Sequence, residues 1–241
     1  MNFWKKENFN KKYFSLQLIR PKESTKEIFK IFTKLKINNL STLDLACGSG
    51  ANLIYLKRKF KNKKYCLGID SNKELIKMSL KFNTFDNLDF KYGNILNLNK
   101  NLKNKFKLIT SFQTLSWLKD YERASREMIK LNSDYIFISS LFWEGLIDFN
   151  IKLNYLKNSS YRREINSTVY YNIYSLKNFI GFYKKNNFEI ILCKKFILKK
   201  NIKNKFKNKM GTYTLKSDNK NIQISGPILM NWYFLIFKKI S

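Results

Sequence analysis

The chain has 241 residues, 47 Lys and Arg against 17 Asp and Glu for a formal net charge of +30, 44% apolar residues and no histidine. That apolar supply builds one full domain with additions and excludes a disordered chain. The missing imidazole excludes Ser-His-Asp and Cys-His sites, and three isolated cysteines, Cys47, Cys66 and Cys193, outline neither a disulfide framework nor a zinc cage.

In chain order, the first 40 residues read as a helical cover: Pro21, Ser24 and Glu27 have the spacing of a capping box, and Ile28, Phe29, Ile31, Phe32 and Leu35 supply an apolar stripe. From Thr42 short apolar runs alternate with amphipathic stretches. Strands are expected at Thr42 to Ala46, Tyr65 to Ile69, Leu88 to Tyr92, Phe106 to Phe112 and Tyr135 to Leu141, and helices at Ala51 to Phe60, Asn72 to Leu80 and Tyr121 to Leu131. Such alternation means crossover units and a parallel sheet covered on both faces. After Leu141 the pattern lapses until about Tyr174. A helix (Ser175 to Asn186), a strand (Phe188 to Leu198), a hairpin (Gly211 to Leu215 and Asn221 to Ser225 around Ser217, Asp218 and Asn219) and an apolar run (Leu229 to Phe237) complete the chain. We read one domain over 41–241, with insertions at about 142–174 (a lid) and 199–228 (a basic segment plus hairpin). Insertions at those points fall near the carboxyl ends of the strands, where open α/β sheets bind ligands.

The lysines are spread over nearly every segment beside Asn, Ile, Phe and Tyr, which is the mark of an AT-rich coding sequence rather than of a nucleic-acid stripe. The densest run, Lys194 to Lys209, is where a polyanion patch is worth testing. Met1 to Lys12 lacks the apolar core of a secretory signal, and no uncharged apolar run reaches 18 residues. A cytoplasmic protein without a membrane span is expected.

The chemistry concentrates at Leu43-Asp44-Leu45-Ala46-Cys47-Gly48-Ser49-Gly50, a strand running through a glycine turn into a helix. A dinucleotide fingerprint wants a further glycine where Leu53 stands, and its pyrophosphate would meet Asp44. An acid there suits a ligand that presents a cation. Twenty residues past Gly50 a second strand ends in Asp70, the arrangement that accepts hydrogen bonds from both ribose hydroxyls.

On these residues the sequence resembles the class I S-adenosylmethionine-dependent methyltransferases, over roughly residues 40 to 140. The resemblance implies an α/β fold with a Rossmann-like, seven-stranded, mostly parallel sheet, helices on both faces and the last strand antiparallel. It implies S-adenosylmethionine as cofactor, S-adenosylhomocysteine as product, and no metal. Asp44 would meet the methionine ammonium, Ala46, Gly48, Ser49 and Gly50 would carry the turn beneath it, and Asp70 would hold the ribose. Ser71 and Asn72 would line the adenine side, where Asn94 replaces the usual acid and Ile95 packs on the ring. Ser111, Phe112 and Gln113 would border the transfer site. Cys47 reads as a small packed residue.

The fourth strand, Leu108 to Trp117, lacks the Asp/Asn-Pro-Pro-aromatic tetrapeptide of base-flipping methylases, a Pro-Cys pair, and any carboxylate for a metal-assisted site. What remains is methyl transfer to an oxygen or nitrogen of a small polar metabolite, a sugar-linked or cell-surface polysaccharide precursor being one such acceptor. An RNA methyltransferase using the basic surface is the alternative, and a non-catalytic nucleoside-binding module another. The oligomeric state stays open. Glu144 and Asp148, just past the fifth strand, are the candidate bases. Trp143, Tyr13, Phe14, Gln113, Tyr170 and Tyr213 are the candidate acceptor contacts, with Tyr171 and Trp232 among the aromatics of the same segments.

Overall fold

A computed structural model describes residues 7–156, 165–203, 211–217, 220–226 and 228–240. Two helices, α1 (Glu7–Ile19) and α2 (Glu23–Lys34), precede the alternating part: β1 (Thr42–Leu45), α3 (Ala51–Phe60), β2 (Cys66–Asp70), α4 (Lys73–Phe82), β3 (Leu88–Tyr92), β4 (Leu108–Phe112), α5 (Glu122–Lys130) and β5 (Tyr135–Trp143). There follow β6 (Lys152–Leu156), β7 (Ile165–Tyr170), β8 (Tyr174–Ser175), α6 (Leu176–Lys184), β9 (Phe188–Phe196), β10 (Thr212–Ser217), β11 (Lys220–Ser225) and β12 (Trp232–Lys239).

The main sheet runs in the order β3-β2-β1-β4-β5-β12-β9. The first five strands are parallel, and β12 enters antiparallel between β5 and β9. The expected seven-stranded architecture is therefore present, with the two-residue β8 added beside the end of β5. The order reverses between β1 and β4, which makes their carboxyl ends the crevice where such sheets bind ligands. Burial follows this plan. The run Trp232 to Phe237 is buried throughout because β12 lies inside the sheet with both faces covered. On one face Ile109, Ile136 and Leu235 pack with Met128 of α5 and Phe179 of α6; on the other Phe137, Leu141 and Phe234 pack with Ile28 and Phe32 of α2.

Several local expectations need correction. The Pro21, Ser24, Glu27 capping box does not form: Lys22 occupies the N-cap of α2 without a side-chain cap bond, and Ser24 lies buried in the first turn. The neighbouring Thr25 hydroxyl instead donates to Asn52 Oδ1 at 2.6 Å, tying α2 to α3. Strand β5 runs on to Trp143 because β8 pairs with its last two residues. The segment after β5 is not structureless: β6 and β7 form an antiparallel hairpin that lacks a strong alternating pattern. The second hairpin is present as β10 and β11, while Asp218 and Asn219 of its turn, and 204–210 of the lysine run, lie outside the described residues. Among the described residues, no helix is long and apolar enough to cross a membrane.

Candidate active site

Strand β1 delivers the chain into a turn that crowds out side chains. Ala46, Gly48 and Gly50 all adopt left-handed backbone, with φ of 57°, 58° and 74°. A Cβ on Gly50 would lie 2.4 Å from Phe90 Cε1, so glycine is required there for space as well as conformation. Ala46 adopts the same region with a side chain, at a cost of about 1 kcal/mol. The turn is tied to β2, since the Cys47 N–H donates to the Ile69 carbonyl at 3.0 Å. Cys47 is buried, and burial pushes its thiol well above the usual range, as suits a packing residue.

Two acids face this turn from adjacent strands. Asp44 is wholly buried; Thr110 on β4 donates to its Oδ1 at 2.8 Å, and Oδ2 has no partner among the described residues. Burial pushes this carboxyl up to about 8, against the Thr110 hydrogen bond and with a smaller contribution from the charge of Asp70. Asp70 accepts the Gly48 N–H on Oδ2 and the Asn72 N–H on Oδ1, both at 2.8 Å. Burial raises its carboxyl too, opposed by these amide bonds. Each Asp70 oxygen retains acceptor capacity.

These residues fit S-adenosylmethionine on their own chemistry. A buried carboxylate oxygen without a partner suits an ammonium, and a second carboxylate on the next strand suits vicinal hydroxyls. Among the described residues, the buried hydroxyls of Ser111, near the end of β4, and Ser139, midway along β5, are likewise without partners. Around them the proposed adenine-side residues take mixed positions. Ser71 is exposed at the rim, Asn72 caps α4 by accepting from the Glu74 and Leu75 amides, and Asn94 Oδ1 accepts the Leu96 N–H within its own loop. Ile95 is buried in the core against β2.

Helix α1 lies over the turn. A Cβ on Gly48 would lie 2.9 Å from Phe14 Cε1, and the Ser49 hydroxyl donates to the Phe14 carbonyl at 3.3 Å. The Tyr13 ring packs edge-on to Phe14 at 5.1 Å. Lys22 Nζ sits 5.4 Å from the Tyr13 ring centre and donates to Gln113 Oε1 at 3.3 Å. Gln113 itself follows β4 in left-handed backbone (φ 54°), with its N–H donating to the Ser139 carbonyl at 2.9 Å. The fold thus gathers Tyr13, Phe14 and Gln113 at the ends of β1 and β4, while Phe112 packs on Phe137 at 5.1 Å. Thr110 touches Asp44, Lys22 touches Gln113 and Tyr13, and Gln17 follows Tyr13 by one turn of α1; all three escaped the sequence reading. No motif surrounds the last two; Thr110 was recoverable from the register of β1 against β4.

The remaining candidates have other partners among the described residues. Glu144 Oε1 accepts from Tyr233 at 2.6 Å and pairs with Lys195 Nζ at 2.7 Å, and these partners hold its carboxyl below the usual range. A carboxylate so held is a weak proton acceptor. Asp148 Oδ1 accepts the Ser175 N–H at 2.5 Å, which staples the segment after β5 to the start of α6. Trp143 is exposed and packs edge-on to Phe149 at 5.8 Å. Tyr170 and Tyr213 stand half-buried on the two hairpins. Tyr171 and Trp232 are core residues that contact each other edge-on at 6.4 Å. Among the described residues no group of three or more Cys, Asp or Glu is placed to hold a metal ion.

Comparison with known proteins gives the family and the fold. The model of a family described as "Methyltransferase domain" matches residues 36–177, more than half of the chain, and the chain belongs to that family, the class I S-adenosylmethionine-dependent methyltransferases. A relative, juvenile hormone acid O-methyltransferase of Bombyx mori, is 34% identical over 94 residues; the match covers 38% of this chain and 34% of the insect enzyme, about a third of its length. The solved YcgJ protein of Bacillus subtilis superposes with a TM-score of 0.57 at 12% identity, covering 90% of this chain and 99% of that one. An S-adenosylmethionine-dependent methyltransferase of Clostridium acetobutylicum superposes with a TM-score of 0.56 at 16% identity, covering 95% and 96%. At these identities the structural likeness speaks for the fold, and the family supplies the cofactor, S-adenosylmethionine.

Proposed function

We propose that the protein methylates an oxygen or nitrogen of a small polar metabolite, with the methyl donor seated on Asp44, the turn Ala46 to Gly50 and Asp70. The observation that carries this reading is Asp44 Oδ2, wholly buried, without a partner and beside a turn pinned to Asp70. The bound donor supplies an electrophilic methyl on sulfonium, transferred by in-line displacement. What the chain must add is alignment. Ser111 to Gln113 form the border of the transfer site, and Tyr13 and Phe14 cover it from α1. Helix α1 acts as a cover over the turn, which suits an enclosed acceptor better than a polymer. The free cysteines Cys47, Cys66 and Cys193 suit a reducing compartment, the cytoplasm. An oxygen acceptor is supported by the insect relative, an O-methyltransferase by name.

The test is incubation of the protein with methyl-labelled S-adenosylmethionine and either a small-molecule extract or total RNA. Label is expected in the small-molecule fraction and lost in Asp44→Ala. Label confined to RNA would replace this reading with a nucleic-acid one, and cofactor binding without transfer to either pool would make the protein a nucleoside-binding module.

A further inference from the structure

We propose that Lys22, Gln17 and Gln113 form the acceptor site and that the group they receive is a carboxylate; this rests on the methyl-transfer reading above. Lys22 Nζ lies at the end of β4, 3.3 Å from Gln113 Oε1, and among the described residues it has no carboxylate partner. Its neighbour Glu23 is turned to Lys26 at 2.8 Å and Lys200 at 3.5 Å. Gln17 has a buried amide nitrogen without a partner among the described residues. On a helix with 3.6 residues per turn, positions 13, 17 and 14 span about 100° of arc. Gln17 therefore projects between Tyr13, which lies beneath Lys22, and Phe14, which lies on Gly48.

Each of the three groups has N–H to give: the Lys22 ammonium, the unpartnered Gln17 Nε2, and the Nε2 of Gln113, whose Oε1 already accepts from Lys22. A carboxylate accepts only and carries the charge that an unpaired ammonium lacks. A hydroxyl acceptor would need a base; in the reading above Asp44 is taken by the ammonium of the methyl donor, and the other acids near the strand ends are engaged elsewhere. Glu144 is held by Lys195 and Tyr233, Asp148 by the Ser175 amide, and Asp70 by two backbone amides. Residues 108–117 contain no carboxylate, and the chain has no histidine. A carboxylate arrives ionised. One C–O bond forms from an oxygen lone pair as the C–S bond breaks and its electrons stay on sulfur. The negative charge of the acceptor and the positive charge of the sulfonium cancel, giving a methyl ester and a neutral thioether. No proton remains to be removed.

The first test reads binding without turnover. With S-adenosylhomocysteine present, benzoate and benzyl alcohol are titrated calorimetrically as anionic and neutral probes of matched shape. Benzoate should bind about tenfold more tightly. That preference should vanish in Lys22→Met and persist in Lys22→Arg, with affinity for S-adenosylhomocysteine unchanged within about twofold in both. No preference in the native protein, including no measurable binding of either probe, overturns the proposal, as does a preference that survives Lys22→Met. The second test reads the product. Label transferred from methyl-labelled S-adenosylmethionine to an extract should be released as volatile methanol by mild alkali, which esters undergo and ethers and methylamines do not. Alkali-stable label overturns the carboxylate assignment and leaves methyl transfer standing. Failure of the native protein to bind S-adenosylmethionine in the same calorimeter would instead overturn the methyl-transfer reading itself.

Discussion

The two halves of the sheet treat their acids differently. At the carboxyl ends of β1 and β4, Asp44 Oδ2 and Ser111 Oγ are buried without a partner among the described residues, as is Ser139 Oγ midway along β5. Past the end of β5, beside β12 and β9, Glu144 Oε1 is engaged by Tyr233 and Lys195, and Asp148 Oδ1 by the Ser175 amide. Burying a polar atom without a hydrogen bond costs about 1–3 kcal/mol. A fold tolerates that where a ligand completes the bond, and nothing comparable is asked of the second region. Unfilled bonding capacity, more than the presence of a carboxylate near a strand end, separates a binding site from a structural contact.

The turn is the most sensitive point of the first region. Gly50→Ala places a Cβ 2.4 Å from Phe90 at φ 74°, and the combined overpacking and backbone strain should remove about 2–5 kcal/mol of stability in chemical denaturation. A loss under about 1 kcal/mol would mean that the turn is looser than described. Next in size, Asp44→Asn should weaken S-adenosylmethionine binding about 100-fold, because the ammonium loses a buried charge partner. The unliganded protein should melt no lower than the native one. Asp70→Ala should weaken binding about tenfold and, unlike the Asp44 change, destabilise the unliganded protein by about 1–3 kcal/mol as the Gly48 and Asn72 amides lose their acceptor.

The pH dependence sharpens the contrast further. Asp44 in the unliganded fold is raised to about 8, so the fold favours its neutral form, and stability should fall as pH climbs from about 4 towards 8. Binding an ammonium selects the ionised form, so affinity for S-adenosylmethionine should rise by up to about tenfold per unit until pH passes about 8. A flat affinity profile between pH 6 and 8 would contradict this. Smallest of all is Glu144→Gln, which should leave turnover within about twofold, since exposed ion pairs contribute little. A loss of turnover of 100-fold would restore Glu144 as a base.

Much of the first region was legible because local signals and global placement coincide there. A strand end, a glycine turn and an acid twenty residues later are neighbours both along the chain and across β1 and β2. Glu144 was legible as a residue past a strand and illegible as an ion pair, because Lys195 and Tyr233 reach it from β9 and β12, strands whose order follows from the late antiparallel entry of β12. Lys22 and Gln17 carried no signal. In a chain of 47 basic residues one more lysine is invisible until the packing of α1 and α2 sets it against Gln113. The capping box failed for a similar reason, since the contact of Thr25 with Asn52 fixes where α2 begins more firmly than the cap spacing does.

The most direct measurement of the central claim is calorimetric titration of the protein with S-adenosylmethionine at pH 7 in two buffers of different ionisation enthalpy. Asp44, largely neutral in the unliganded fold, must ionise to receive the ammonium, so binding should release up to about one proton, and that release should disappear in Asp44→Asn. Absence of binding, or binding with the same proton release in Asp44→Asn, would contradict the assignment of the buried Asp44 oxygen to the methyl donor.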